Sequence, residues 1–236
     1  MTLRVSLANI VRGGGRVAMQ RMFADRAEAG RALAEALAAY RGAAGTVVLG
    51  LPRGGVPVAY EIAAALSLPL DVLVVRKLGL PAQPELAMGA IASGGALVLN
   101  EDVVRYAGGH GEALERVRAR EQAELERRER EYRGGRPTLE LRGRTGILVD
   151  DGLATGATME AAVRSLRALG ATRVVVAVPV ASAEARDRIA AVADEVICLA
   201  TPMMFSAVGQ WYADFGQTED EEVRRLLAKG HATSVA

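Results

Sequence analysis

Aromatic residues are scarce in this chain: three Phe, five Tyr and one Trp among 236 residues. A core cannot rest on so few rings, so aliphatic side chains must build it. Half the residues are hydrophobic and 24% are charged, the balance of a soluble globular protein. Cysteine is nearly absent as well. Cys198 stands alone, which excludes an internal disulfide, and its neighbours Val196, Ile197 and Leu199 predict a buried structural thiol. That usage fits a reducing, cytoplasmic setting. Neither sign of charge dominates: 29 Lys and Arg against 28 Asp and Glu give +1. There is thus no general electrostatic pull toward nucleic acid or an anionic membrane. One long uncharged run, 196–213, is interrupted by Thr201, Pro202, Ser206, Gly209 and Gln210, so a buried strand and a loop are expected there rather than a membrane helix. His110 and His231 are far apart and lack metal-ligand spacing to another His, Cys or paired acid. No Ser-His-Asp arrangement is visible.

Acidic residues are missing from the first 21 positions, which carry Arg4, Arg12, Arg16 and Arg21. The composition is that of a transit peptide, but Gly13-Gly14-Gly15 would break an amphipathic helix. A disordered extension over 1–21, or a true start at Met19 or Met22, is the expectation.

Beyond that stretch, short Val/Ile/Leu-rich runs alternate with helical ones. Strands are predicted at Thr46–Gly50, Asp71–Val75, Gly146–Asp150, Arg173–Pro179 and Glu195–Leu199. None shows a polar alternation, the mark of parallel strands buried on both faces. Helices are predicted at Asp25–Tyr40, Val56–Leu66, Ala157–Leu169 and Ala183–Val192, with Gly170 a C-terminal stop for the third. This order predicts a doubly wound α/β fold with a mainly parallel five-stranded sheet and helices on both faces. An insertion at 78–143 interrupts it, with a hairpin expected at Gly89–Ser93 and Ala96–Leu99 around Gly94-Gly95. A helix over Glu112–Arg133 follows, dense in Glu and Arg, with a thin apolar stripe of Leu114, Val117, Leu125 and Tyr132. A solvated helix laced with i,i+4 ion pairs is the simplest reading. The alternative is a lid or an arm of a homodimer. The segment from Thr201 onward gathers four aromatics, Phe205, Trp211, Tyr212 and Phe215.

The chemistry concentrates at Gly146 to Thr158. An apolar strand ends in Asp150-Asp151, and Gly152-Leu153-Ala154-Thr155-Gly156-Ala157-Thr158 leads into a helix. Small residues before a helix N-terminus make a phosphate cradle, because backbone N–H groups converge there and the macrodipole favours an anion. Thr155 and Thr158 add hydroxyl donors. The two carboxylates would repel phosphate, but they suit sugar hydroxyls or a metal one sugar length away. A ribose 5-phosphate satisfies both halves. Two further loops hold cations. Leu51-Pro52-Arg53-Gly54-Gly55 follows the first strand, and taken alone it also fits an ordinary turn. Arg76-Lys77 closes the second predicted strand, and alone it also fits a solvated basic pair. All three segments fall at the C-terminal ends of predicted parallel strands, where open α/β sheets bind ligands.

Two acids after an apolar strand, followed by Thr-Gly-x-Thr, resemble the signature of type I phosphoribosyltransferases. The resemblance covers about Val47 to Val178. The runs 52–59 and 75–79 look most like a bacterial subgroup whose acceptor is not assigned. Asp150 and Asp151 would then bind the ribose 2- and 3-hydroxyls. Ala154, Thr155, Gly156, Ala157 and Thr158 would bind the 5-phosphate, and Arg53, Gly54 and Gly55 the pyrophosphate. Arg76-Lys77 looks like the pair in adenine phosphoribosyltransferases whose Lys reaches a phosphate, which makes Lys77 a third catalytic candidate beside the acids. The resemblance implies transfer of the 5-phosphoribosyl group from phosphoribosyl pyrophosphate to a small-molecule nitrogen acceptor, a nucleobase. Mg²⁺ would be held chiefly by substrate oxygens, with no metal ligand expected from the protein. It also divides the chain into a core at 22–200 and a hood and tail at 201–236, where Phe205, Trp211 and Phe215 could stack on the acceptor. One departure stands out: some purine members carry an acid as general base where this chain has Ala154. Glu85 and Glu101 are the nearby substitutes. The alternative function is a non-catalytic sensor of phosphoribosyl pyrophosphate, against which the near-neutral charge and the lack of a DNA-binding motif count.

Overall fold

The computed structural model describes residues 23–80, 83–106, 111–136 and 140–234. The basic stretch over 1–21 and His110 lie outside them. Five strands, β1 (Thr46–Gly50), β2 (Leu70–Val72), β6 (Thr145–Val149), β7 (Arg173–Val180) and β8 (Glu195–Ala200), form a parallel sheet in the order β2-β1-β6-β7-β8. The expected doubly wound α/β architecture is therefore present.

The missing polar alternation has a direct physical cause. Val48, Ile147, Val149, Val175 and Ala177 project into one cluster, which also holds residues of α1 (Arg26–Ala36), α2 (Gly55–Leu66) and α7 (Asp220–Ser234). Val47, Leu49, Leu148, Val174, Val176 and Val178 project into the other, against α5 (Ala157–Ala168) and α6 (Ala183–Ala190). Successive side chains of a strand face opposite sides, so both parities must be apolar when both sides are covered. Each fully buried Val or Leu contributes about 1.5–3 kcal/mol.

A second sheet, antiparallel, joins β3 (Val75–Leu80), β4 (Gln83–Ala92) and β5 (Ala96–Leu99). The expected hairpin is its β4–β5 half. The expected strand Asp71–Val75 is instead split between the sheets. The parallel strand stops at Val72. Leu73 N–H donates to the Gly50 carbonyl at 3.1 Å and Val74 N–H to Ser93 Oγ at 2.9 Å, after which Val75 pairs antiparallel with Ala92. Arg76 and Lys77 thus lie on the small sheet, not at the end of a parallel strand. An unbroken apolar run gives no signal for the point at which it changes partners.

After the short helix α3 (Glu101–Tyr106), α4 (Glu112–Arg133) buries Leu114, Val117, Leu125 and Tyr132, the thin stripe read from the sequence. Its other faces carry i,i+4 pairs such as Arg116–Glu112 and Arg128–Glu124. Its last turn is anchored by Arg133, which donates to buried Asp71 at 3.1 Å and to the Val72 carbonyl at 2.7 Å. Within the segment read as tail, α7 buries Val223, Leu226 and Leu227 in the core. Its apolar positions are spaced by three and four, but its first turn, Asp220-Glu221-Glu222, is acidic. Among the described residues, no helix is long and apolar enough to cross a membrane.

Candidate active site

The loops after β1 and β6 meet at the C-terminal edge of the large sheet. Leu51 N–H donates to the Val149 carbonyl at 2.9 Å. Gly54 and Gly55 then lie directly on the acid pair. A Cβ on Gly55 would come within 2.5 Å of the Val149 carbonyl oxygen and 2.9 Å of Asp150 Cα, and one on Gly54 would run into the Asp151 carboxylate. Both glycines are therefore needed for close approach. The Pro52–Arg53 peptide bond between them and β1 is cis.

Past the acids, the chain turns into α5. Leu153 bridges to Ala181, its N–H donating to the Val180 carbonyl at 2.9 Å, which ties the loop to the end of β7. The Ala154 carbonyl accepts from Ser182 Oγ at 2.8 Å and the Thr155 carbonyl from Arg188 Nη1 at 3.3 Å. The loop's carbonyls are thus engaged on one side. Gly156, at φ +75°, caps α5, and the first-turn N–H groups have no intrahelical acceptors. Ala154, Thr155 and Thr158 are exposed around this helix start. This is the geometry of an anion cradle.

A cavity of about 380 Å³ opens above the acids, lined by Arg26, Arg53, Gly54, Asp151, Phe215, Gly216, Gln217 and Thr218. Arg53, Gly54, Asp151 and Phe215 were legible in sequence; Arg26 and Gln217 were not. Arg26 donates to Asp151 Oδ2 from Nε at 2.9 Å and from Nη2 at 2.8 Å. Gln217, with its amide oxygen turned toward Arg53, accepts from Nη1 and Nη2 at 3.2 and 2.9 Å. Asp150 Oδ1 accepts from Asp151 N–H at 2.9 Å. Burial pushes the Asp150 carboxyl well above the usual carboxylate range, and the charge of Asp151 adds to it. Burial raises Asp151 too, against the opposing pull of Arg26. Among the described residues, no three His, Cys, Asp or Glu side chains gather as a metal cage.

The remaining candidates are dispersed. Lys77 is exposed on β3 and lines a separate cavity of about 600 Å³ with Ala157, Arg164 and Arg188. Arg76 donates to Glu121 of α4 from Nε at 2.8 Å, which occupies it away from the acids. Glu101 begins α3 at the rim of the Lys77 cavity. The tail aromatics divide. Tyr212 is buried, with ring centroids 5.7 Å from Phe23 and 5.0 Å from Phe215, and its hydroxyl donates to the Asp151 carbonyl at 2.6 Å. Phe215 is partly exposed over the cavity. Trp211 is half-buried, with an indole N–H that is enclosed and unpaired among the described residues. Phe205 is half-buried and stands apart from the ring pairs.

A parallel sheet with an acid pair, a small-residue loop before a helix and an Arg-Gly-Gly loop at its C-terminal edge has the α/β architecture that receives ligands at that edge. The pattern of the phosphoribosyl transferase domain matches residues 21–215, and the chain belongs to that family of transferases. A Mycobacterium tuberculosis protein, provisionally named a phosphoribosyl transferase, is 54% identical over 211 residues, 89% of this chain and 47% of the relative. The same match is found in a second strain of that organism. The chain therefore spans about half the length of the curated relatives it matches. The crystal structure of TT1426 from Thermus thermophilus is 51% identical and superimposes with a TM-score of 0.80, covering 88% of this chain and 98% of that one.

Proposed function

We propose that this chain catalyses transfer of the 5-phosphoribosyl group from phosphoribosyl pyrophosphate to a nitrogen acceptor, a nucleobase, with release of pyrophosphate. The observation that carries the reading is the contact between the Arg53-Gly54-Gly55 loop and Asp150-Asp151, with the cradle 154–158 immediately beyond. On this reading the ribose spans from the pyrophosphate site at Arg53 to the 5-phosphate site at the cradle. In the reaction the C1–O bond to pyrophosphate breaks, the leaving oxygen takes the electron pair, and the acceptor nitrogen bonds to C1 and gives up its proton to the departing pyrophosphate or to water. The transition state has the oxocarbenium character familiar from glycoside hydrolysis. Asp150 and Asp151 accept from the ribose hydroxyls and favour positive charge on the ring. Arg53 holds the leaving pyrophosphate, and Lys77 approaches the phosphates from the cavity it shares with Ala157.

A lone pair of carboxylates, one engaged by Arg26, suits hydroxyl groups better than a metal cage. Mg²⁺ would arrive on the donor's own pyrophosphate oxygens and neutralise the leaving group. Phe215 and Trp211 are the proposed acceptor platform. Base stacking on such rings is worth about 1–3 kcal/mol. Phe205, outside the ring cluster, would join them only at the margin.

Incubation with the donor, Mg²⁺ and a panel of bases should release pyrophosphate with at least one acceptor. A panel with no release over the uncatalysed rate would refute the reaction. Arg53→Ala should weaken the pyrophosphate-bearing donor by about 1.5–3 kcal/mol, the worth of a charge-assisted hydrogen bond. Ribose 5-phosphate, which lacks the group Arg53 is proposed to hold, should be affected far less. Equal losses by calorimetry would remove Arg53 from the pyrophosphate site.

A further inference from the structure

We infer that Arg26 is a positioning residue that keeps the Asp151 carboxylate ready for the ribose and joins it to the aromatic strap, residues 211–217, that roofs the cavity. The inference rests on the proposed function, because it assumes that Asp151 receives a ribose hydroxyl.

Arg26 is the first residue of α1, and its backbone is fixed from two sides. The preceding Asp25 caps the helix, accepting from Glu28 N–H at 2.8 Å. Phe23 and Ala24 are laced to the strap. Phe23 N–H donates to the Trp211 carbonyl at 3.0 Å, and Ala213 and Asp214 N–H donate to the carbonyls of Phe23 and Ala24, both at 2.8 Å. From that anchor the guanidinium divides its donors. Nε and Nη2 hold Asp151 Oδ2, and Nη1 donates to the Gly216 carbonyl at 2.7 Å. Its central carbon lies 4.0 Å from the Phe215 ring centroid, over the ring. The strap is locked in turn by Gly216 N–H donating to Asp214 Oδ1 at 3.0 Å and by Tyr212 on the Asp151 carbonyl. One cation thus touches the proposed ribose acid and the proposed acceptor platform together.

The side chains of Arg26 and Asp151 are only 12% and 15% exposed, so this pair is far less screened than a surface one. The groups that face Asp151 are Asp150 on its own loop, Arg26 from α1 and Tyr212 from the strap, with Arg53 from the β1–α2 loop lining the same cavity. Glu219 lies 3.8 Å from Arg53 and offsets part of that second charge. Of these groups, Arg26 is the one whose side chain bonds the Asp151 carboxylate from another element. Only the ionised carboxylate can accept from a ribose hydroxyl through both oxygens. Burial favours a proton on both acids, the charge of Asp151 adds to this at Asp150, and Arg26 opposes it at each.

The sign of the effect follows. Donor binding is lost as pH falls through the raised value of the acid pair. Removing Arg26 raises that value further, so the acid limb of donor binding moves to higher pH. The test is calorimetric titration of the wild-type chain, Arg26→Met, Arg26→Gln and Arg26→Lys with ribose 5-phosphate and with phosphoribosyl pyrophosphate, between about pH 5 and 9. For Arg26→Met and Arg26→Gln the limb should move upward by about a unit or more, so that affinity at a fixed pH on the limb falls roughly tenfold per unit of displacement. Arg26→Lys, which keeps a charge without the planar fork, should restore most of the limb but leave the acceptor KM raised. Gln keeps an N–H donor at the position of Arg26 Nε, so it guards against a Met variant that folds poorly. Loss of affinity by one constant factor at every pH, or no loss, would overturn the positioning role. A wild-type chain that binds neither ligand would overturn the functional reading itself, and this inference with it.

Discussion

Asp150→Asn should cripple transfer while making the protein more stable at neutral pH. The wild-type carboxyl is pushed well above its ordinary range, first by burial and then by the charge of Asp151. A carboxyl whose folded value is raised favours folding in its protonated form. Its stabilisation is complete below the unfolded value of about 3.9 and is lost as pH rises through the folded one. At neutral pH the wild type therefore carries the cost of a buried, repelled charge. Asn has the same shape without the charge, and its side-chain oxygen can still accept from Asp151 N–H. Melting temperature should thus rise at neutral pH and vary less between about pH 5 and 8. Activity should fall by on the order of 10²–10³-fold, the usual cost of removing one preorganised group that stabilises developing charge. Asp151→Asn should behave differently, because it leaves Arg26 without its carboxylate. That variant should lose about 1–3 kcal/mol of stability along with its activity, and the double Asn variant should be inactive yet folded. Melts across that pH range, beside pyrophosphate release, check both parts. An Asp150→Asn protein that retains full activity would place the ribose elsewhere.

Gly55→Ala is the smallest substitution expected to disable the site. The added methyl would lie 2.5 Å from the Val149 carbonyl oxygen and 2.9 Å from Asp150 Cα, both backbone atoms at the end of a central strand. No rotamer change can relieve such contacts, so the Arg53–Gly55 loop must lift from the acid pair. Overpacking of this kind costs about 1–3 kcal/mol. The functional loss should be larger, about 10²-fold, because a displacement of about 1 Å separates the pyrophosphate site from the ribose site. Gly54→Ala meets a movable carboxylate instead of backbone, so it should lose less stability but still disturb Asp151. Thermal melts and donor affinity for the two variants should therefore rank in opposite emphasis. A Gly55→Ala protein with wild-type melting temperature and donor affinity would show that the two loops do not pack as described.

Most of the fold was legible because its causes are local or periodic. The β1 run reads as a strand because Thr46-Val47-Val48-Leu49-Gly50 is apolar on both faces, and the structure covers both faces with helices. The helix Glu112–Arg133 was legible from its spacing of apolar residues and charges; in the structure Gly134, in the left-handed conformation, ends it. Arg76 and Lys77 were misplaced because a strand's partner is set by what lies beside it, not by its own residues. The α7 helix went unread because its start, Asp220-Glu221-Glu222, follows an irregular segment and its buried stripe is short, Val223, Leu226 and Leu227.

At the site, the sequence alone determined the acid pair, the small-residue cradle and the Arg-Gly-Gly loop, because each is a contiguous run whose chemistry is carried by its own backbone and neighbours. Tertiary structure decided the rest. Arg26 reaches Asp151 across 125 positions of sequence, and Gln217 reaches Arg53 from the far end of the strap. It also removed Arg76 into an ion pair with Glu121 and divided the aromatics between a buried Tyr212 and a cavity-facing Phe215. A charge declares its type in sequence, but its partner and its proton depend on burial and distance, and only the folded chain sets those.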